Sequence, residues 1–471
     1  AQDQNAWSEG NQWTINSFFS RVNYTFANKY VIEGTIRADG SSRFDPDHRW
    51  GWFPGVNAAW RVGEEGFMKR LGWFEDLKVR ASYGEMGNQS GIGLYDYIQL
   101  ISLSNDYYPF GTGVKGQMAT SGNIISTSRT WETIQTTNVG FDFSTLNNRL
   151  YGSFDYFWKE NKNMLIPKTY PSMLGADAPS TNSGHLSIHG WEISLGWRDQ
   201  IKDFSYSVRF NISDAKNKVV DRVGSNLIKL GNNETPTGYP LNSYFGYEFD
   251  GIIQNEQELE AYKSRFSEGG IPGDLSVGDA MYKDLDGDGK LSVLGDGKEG
   301  SGDVKYLGDK NPRYNFGFNL SMAWKGFDLS AFIQGVGRRT MFLEGESRCP
   351  MPEAWYQSAE YWYGKTWTPE RTDAQYPAIT LKDKRNYNYY VSTNTKFNVA
   401  YARLKNLQFG YTIPQTLTSK AGLQKVRVYF SGEDLFEVHN TPNGWDPEEN
   451  SGSITSYPFT RNYSFGINVV F

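Results

Sequence analysis

This chain is short of cysteine, histidine, positive charge and long apolar runs, and each shortage removes a class of protein. Its single cysteine, Cys349, rules out an intrachain disulfide. The setting, "SRCPMPEAW", reads as loop and the thiol as a bystander. With four histidines and that one cysteine, a zinc centre or a Cys–His nucleophile has too few side chains to draw on. The net charge of -6 argues against nucleic acid as a partner. No apolar run approaches the roughly 18 residues that a membrane-crossing helix needs. Hydrophobic residues make up only 38% of the chain, and mean hydropathy is -0.59. Gly-x-Ser-x-Gly and phosphate-loop patterns are missing. Paired acids such as Glu448 with Glu449, or Asp45 with Asp47, fall in loop-like stretches with nothing to tune a pKa, so no catalytic set is assigned. No signal peptide opens the chain. "AQDQNAWSEGNQW" reads as loop, so processing of a signal, or sequence preceding Ala1, is expected.

What is abundant points elsewhere. Aromatics reach 16%, with 30 Tyr, 29 Phe and 15 Trp, and there are 50 Gly. Low hydropathy with this many rings fits a β-protein with a polar interior and aromatic girdles, or a soluble β-protein acting on carbohydrate. The last eleven residues, "RNYSFGINVVF", sharpen the choice. Tyr463, Phe465, Ile467, Val469 and Phe471 share one parity, and Asn462, Ser464, Gly466 and Asn468 share the other. Period two means a strand with two unlike faces. The same alternation runs through "WEISLGWR", "FSYSVRFNIS" and "YNFGFNLSMAW".

About thirteen strands follow from this rule. They lie near 12–26, 30–38, 53–62, 77–84, 134–143, 150–158, 190–198, 204–213, 313–324, 327–336, 401–413, 425–433 and 461–471. Many approach the about 9–11 residues that a tilted strand needs to cross a bilayer. Compact turns fall at 27–29, 145–149, 199–203 and 325–326. Long loops fall at 85–133, 159–189, 214–312, 337–400 and 434–460. Short turns at one end and long loops at the other are the signature of an outer-membrane barrel. A sandwich has no reason to sort its loops this way. Tyr24, Phe26, Tyr30, Tyr156, Trp158, Trp324 and Phe327 gather near strand ends, as an interfacial belt would. An odd number of strands cannot close antiparallel throughout, and open edges are not tolerated in lipid, so further strands are expected.

Several stretches then resemble the C-terminal half of SusC/RagA-type TonB-linked outer-membrane transporters. These are "RVNYTFANKYVIEGTIRADGSSRFDPDHRWGWFPGVNAAWRV", "LKVRASYGEMGNQSGI", "WETIQTTNVGFDFSTLNNRLYGSFDYFWKENKNMLI", "YKDLDGDGKLS" with "LGDKNPRYNFGFNLSMAWKGFDLSAFIQGVGR", and "YARLKNLQFGYTIP". "NSGHLSIHGWE" departs a little: Asn182, Gly184, Gly190 and Glu192 match, but Ile188 takes the place of a second Asn, which bears on the turn expected before the strand near 190. The resemblance implies an all-β transmembrane antiparallel barrel of about 22 strands, with an N-terminal plug and a TonB-binding box. Residues 1–471 would supply about thirteen C-terminal strands of it, without the plug. The terminal strand resembles the signal by which such barrels are recognised for insertion, with Tyr463, Phe465, Ile467, Val469 and Phe471 facing lipid. The family also implies a SusD-like surface lipoprotein on the long loops, and leaves room for a higher oligomer of that complex.

One motif reads as a metal site. Within the 214–312 loop, "DLDGDGKLS" puts Asp284, Asp286 and Asp288 at about positions 1, 3 and 5 of a calcium loop, with the Lys290 carbonyl and Ser292 following. The closing acid is missing, because Gly295 stands there. Asp296 is the nearest acid and Asp303 a further candidate. The alternative is a solvated acidic turn. Loop aromatics Tyr107, Tyr108, Trp355, Tyr356, Tyr361, Trp362 and Trp445 either stack on a ligand or pack the loops together. The expected function is TonB-driven import of nutrient oligomers, glycans or peptides, without catalysis. A secreted polysaccharide-acting protein with a calcium loop, and a passive pore or adhesin, are the alternatives.

Overall fold

The computed structural model describes residues 10–104, 109–110, 114–115, 118–122, 124–167, 173, 179–222, 230–231, 235–294, 302–352, 357–380, 383–449, 452, 457 and 459–471. Extended stretches with one apolar and one polar face must pair edge to edge, since each leaves a full row of backbone donors and acceptors. Thirteen do so in a single sheet whose spatial order is the chain order. They are β1 (Ile15–Phe26), β2 (Tyr30–Ser41), β3 (Trp50–Trp60), β4 (Asp76–Asn88), β5 (Glu132–Thr145), β6 (Leu150–Pro167), β7 (Ser180–Ile201), β8 (Phe204–Asp221), β9 (Arg313–Trp324), β10 (Phe327–Arg338), β11 (Tyr401–Thr412), β12 (Lys425–His439) and β13 (Asn462–Val470). Neighbours pair antiparallel, and β1 and β13 form the two edges.

At one end the hairpins are tight. Ala27 and Asn28 (φ 52° and 57°), in the three-residue turn 27–29, and Lys325 and Gly326 (φ 45° and 91°), which are a two-residue turn, take left-handed backbone, which suits tight turns between right-twisted strands. This is the turn end, and the other is the loop end.

Several strands outrun their alternation. β6, β7 and β8 extend well past 158, before 190 and past 213, and the ladder holds as far as Pro167↔Ser180 and His185↔Asp221. Towards the loop end both faces meet loops or water, so the two-face pattern fades while backbone pairing continues. "NSGHLSIHGWE" accordingly lies inside β7 and not in a turn. Asn182 pins it sideways, accepting from Thr130 N and donating to the Thr130 and Asn163 carbonyls, each at 2.9 Å.

Two connections at the turn end are not compact. Residues 61–75 hold a helical turn Val62–Glu64 and a short helix Gly66–Leu71, and residues 413–424 hold Gln415–Thr418 and Ser419–Ala421.

The loop end folds into packed modules. Within 214–312, strand Ser243–Tyr247 pairs with Val304–Asp309, and Phe249–Ile252 with Ala280–Tyr282. The helix Glu256–Arg265 is capped by the Asn255 side chain, which accepts from Glu258 N. Tyr247, Ile253, Leu259, Tyr262 and Tyr282 form its core together with Tyr387 from the next loop. Tyr262 and Tyr387 hydroxyls meet at 2.7 Å, and Tyr282 donates to the Tyr387 carbonyl at 2.8 Å. A second core joins Met341, Tyr361, Trp362, Tyr376 and Trp445 around the buried Cys349.

Candidate functional site

Pairing register turns single-strand alternation into rows that run across the wall. One row reads Ser207, Ser321, Ser330, Gln408, Ser431, Ser464 from β8 to β13. The row beside it reads Tyr206, Met322, Leu329, Phe409, Phe430, Phe465. Successive side chains point to opposite faces, so one face of the sheet is hydroxyl and amide and the other is apolar. Apart from the connection 61–75 at the turn end, the apolar face has no protein layer over it among the described residues. Phe18 is 69% exposed, Trp52 66% and Phe465 84%. Tyr463, Ile467 and Val469 lie exposed on that face with Phe465, and Phe471, just past the strand, is exposed as well. A water-soluble protein would turn these faces inward, so the reading as a secreted soluble protein does not fit. At the turn end Phe26 stacks on Tyr30 and Tyr30 on Trp60, with centroids 6.5 and 6.4 Å apart.

The polar face carries charge, and it is paired. Arg21 and Glu33 meet at 2.5 Å, and Asn23 and Asn57 complete the Glu33 carboxylate at 3.0 and 3.2 Å. Arg80 reaches Asp142 at 2.9 Å and Asp155 at 3.0 Å, and Lys78 shares Asp142. Arg427 binds Asp328, and Gln408 at 3.1 Å. Such pairs keep strong donors and acceptors along the inner wall without leaving an uncompensated charge. Two concavities open on this face. One, of about 930 Å³, lies towards the loop end by Arg37, Asp39, Asn57 and Ser82. The other, of about 840 Å³, lies at the turn end by Arg198, Ser207, Asp328 and Ser330.

The densest cluster sits where a bulge changes the phase of a strand. Relative to β10, β11 carries one extra residue at Lys405, so Arg403 joins the face that holds Asn406 and Gln408. Bulges re-aim side chains in this way. Arg403 is 1% exposed, and it faces Asp446 at 2.5 Å, Glu448 at 3.4 Å and Glu437 at 3.6 Å. Lys405 pairs with Asp434 at 2.7 Å and Glu448 at 3.1 Å. Arg461 pairs with Glu437 at 2.7 Å. Arg339, also buried, donates to the Pro447 and Glu449 carbonyls. These cations hold the β12–β13 loop down over the wall. Glu448 and Glu449 thus serve structure, through a carboxylate and a carbonyl. Period-two reading misses the cluster, because the bulge that assembles it breaks the period.

The acidic turn is arranged differently from the calcium-loop spacing. Oxygens of Asp284, Asp286 and Asp303 lie within 4.8 Å of one another. Asp284 accepts from Gly287 N at 2.7 Å and Gly289 N at 3.0 Å, and both glycines have φ near 75° (75° and 76°). Asp288 turns instead to Lys290 N at 2.8 Å. Ser292 donates its N–H to Asp303 at 2.8 Å, and Leu285 N donates to the same carboxylate at 2.6 Å. Burial, with Asp286 and Asp284 nearby, pushes the Asp303 pKa up. Gly295 and Asp296 lie outside the described residues. Tyr361, Trp362 and Trp445 are buried and pack loops. Tyr107, Tyr108, Trp355 and Tyr356 lie outside the described residues.

A wall of this design has relatives. Residues 2–435 match the family model described as TonB dependent receptor-like, beta-barrel. The chain belongs to that family. It is of the SusC/RagA type and is an outer-membrane β-barrel protein. It is 32% identical to the TonB-dependent receptor P3 of Formosa agariphila, over 98% of this chain and 46% of that protein. It is 27% identical to the TonB-dependent receptor SusC of Bacteroides thetaiotaomicron, over 100% of this chain and 45% of that one. The solved RagAB peptide transporter superposes with a TM-score of 0.77 at 23% identity, over 97% of this chain and 48% of that chain, which shows a shared fold. The chain spans about half the length of these relatives (46% and 45% of the two curated receptors).

Proposed function

We propose that this sheet is part of the wall of a TonB-dependent importer that carries nutrient oligomers, glycans or peptides, across the outer membrane. The observation that carries the proposal is the pair of unlike faces. The wall is apolar where lipid would lie and lined with paired charge and hydroxyls where cargo would pass. A plug moved by TonB would gate the lumen, the packed loop modules would seat a SusD-like surface lipoprotein, and the terminal strand from Tyr463 to Phe471 would mark the barrel for insertion. Glycans and peptides both suit a lumen of hydroxyls, amides and paired ions, and a similar solved protein is named a peptide transporter. The test is uptake of labelled oligosaccharide and peptide mixtures by cells with and without the gene, in TonB-competent and TonB-deficient backgrounds. Uptake that needs both the gene and TonB supports the proposal. Uptake that survives loss of TonB makes the protein a passive pore.

We propose also that Asp284, Asp286 and Asp303 hold a hard divalent cation, calcium being the fit to an all-oxygen set. Three carboxylates this close repel one another, and the one that is fully buried, Asp303, has no water to screen it. A bound cation would stiffen the loop module and take no part in chemistry. The experiment is calorimetry with calcium against an Asp303→Asn variant.

A further inference from the structure

The connection 61–75 is built unlike the tight turns beside it, and its sidedness is fixed. Glu65 opens the helix Gly66–Leu71 and acts as its tether. One carboxylate oxygen accepts from Tyr30 Oη at 2.7 Å and Trp60 Nε1 at 3.1 Å, and the other from Lys29 Nζ at 2.8 Å. Tyr30 and Trp60 are paired residues on the apolar face of β2 and β3, in line with Ile32 and Ala58. The helix is therefore held against the lipid side of the wall. Phe74 packs edge-on to Phe143 at 6.3 Å, and Thr145 donates to the Trp73 carbonyl at 2.5 Å, which fixes the far end of the segment.

What this rigid foot presents is apolar. Phe67 and Leu71, four apart and so on one face of the helix, are 54% and 49% exposed, and Trp73 is 67% exposed. Lys69 pairs with Glu64 at 2.6 Å, while Arg70 has no acidic partner among the described residues. The patch continues the aromatic belt of Phe26, Tyr30 and Trp60 without a break in kind. An apolar face with a cation beside it, continuous with a lipid-facing belt, matches the surface of a phospholipid leaflet.

We infer that residues 61–75 form an interfacial foot that seats Phe67, Leu71 and Trp73 in the phospholipid leaflet at the turn end, with Arg70 at the headgroups. This rests on the outer-membrane wall and goes beyond it. The wall needs only a short turn here, and the foot adds a second, in-plane hold on the membrane.

The test places spin labels on cysteine variants of the full-length protein in vesicles of phosphatidylethanolamine and phosphatidylglycerol. Phe67→Cys and Leu71→Cys report the foot, Lys202→Cys a tight turn in water, and Phe465→Cys the lipid-facing wall. Native Cys349 is buried, at 1% exposure, and stays silent. Collision with dissolved oxygen and with a water-soluble nickel chelate gives depth. The foot predicts oxygen-to-nickel ratios at 67 and 71 several times that at 202 and below that at 465. Nickel access at 67 and 71 equal to 202, with 465 still screened, overturns the foot and spares the wall. Nickel access at 465 as well overturns both. Labels at 67 and 71 shielded from both reagents would mean that a protein covers the helix, and would overturn the lipid assignment.

Discussion

Replacing Arg403 by methionine should free the β12–β13 loop while leaving the wall intact. Arg403 is 1% exposed, and the three acids around it keep 17–19% of their side-chain exposure. Breaking a fully buried pair by removing one partner costs about 3–5 kcal/mol, because the other charge is left uncompensated. Two conditions lower that figure here. Glu448 retains Lys405 and Glu437 retains Arg461, so Asp446 alone loses its cation. The acids also keep some water. We therefore work with about 2–3 kcal/mol, lower than the fully buried case. The cost falls on local opening of the loop, since β11 and β12 remain paired from Thr412 to Tyr401. At about 1.4 kcal/mol per factor of ten, the open population should rise by about 30- to 150-fold. Amide exchange reads this directly when opening and closing are fast. The reporters are Glu448 N, which donates to Asp446 at 2.8 Å, Trp445 N, which donates to Pro442 O, and Asn440 N, which donates to Ala400 O. Arg403→Lys keeps the charge but not the fan of donors and should fall between. Unchanged exchange at these amides in Arg403→Met would refute the reasoning.

Four further outcomes are expected. Phe465→Lys should destabilise insertion by about 2–4 kcal/mol, the cost of a cation on a lipid-facing strand near mid-bilayer, whereas Ser464→Lys on the opposite face should cost little; denaturant titration in lipid vesicles measures both. Calcium at about a hundred times its dissociation constant should protect amides of 284–292 by about 2.7 kcal/mol, and Asp303→Asn should abolish that gain. Because the folded-state pKa of Asp303 is raised, cation-free protein should lose stability in this turn as pH rises from the unfolded value through the folded one, and calcium protection should grow over the same rise. The Glu65 pKa is lowered to about 2, first by the hydrogen bond from Lys29, then by those from Tyr30 and Trp60. Its tether should therefore hold above the usual carboxylate range and slacken as pH falls towards 2, seen as faster motion of a label at 67; Glu65→Gln should remove that pH dependence.

How much of this was legible in the chain depends on whether two-face alternation was at work. Where one face meets lipid and the other a polar interior, as from Asn462 to Val470, the period is strong and the strand is placed to within a residue or so. Where β6 to β8 rise clear of the belt, both faces meet similar surroundings, and the alternation stops short of the strand ends. The bulge at Lys405 shifts phase by one residue, so Arg403 carries no mark of its inward aim. Asp303, eleven residues beyond Ser292, reaches the acidic turn only through folding, while Asp288, in the expected spacing, turns to its own backbone. The short helix did leave a trace: "EEGFMKRLG" sets acids before an i, i+4 apolar pair, bases in the last turn and Gly72, at φ 63°, after it. Sugar-stacking and core-packing aromatics share one composition, so burial alone separates Trp362 and Trp445 from a binding platform.

The wall itself is tested most directly by a cysteine scan along β13, position by position from 462 to 470, in the protein inserted in outer membranes. The account predicts that 464, 466 and 468 react with a water-soluble thiol reagent through the lumen, and that 463, 465, 467 and 469 resist it and are quenched by a lipid-borne probe. Uniform reactivity, or the opposite parity, would contradict a lipid-facing wall and with it the transporter.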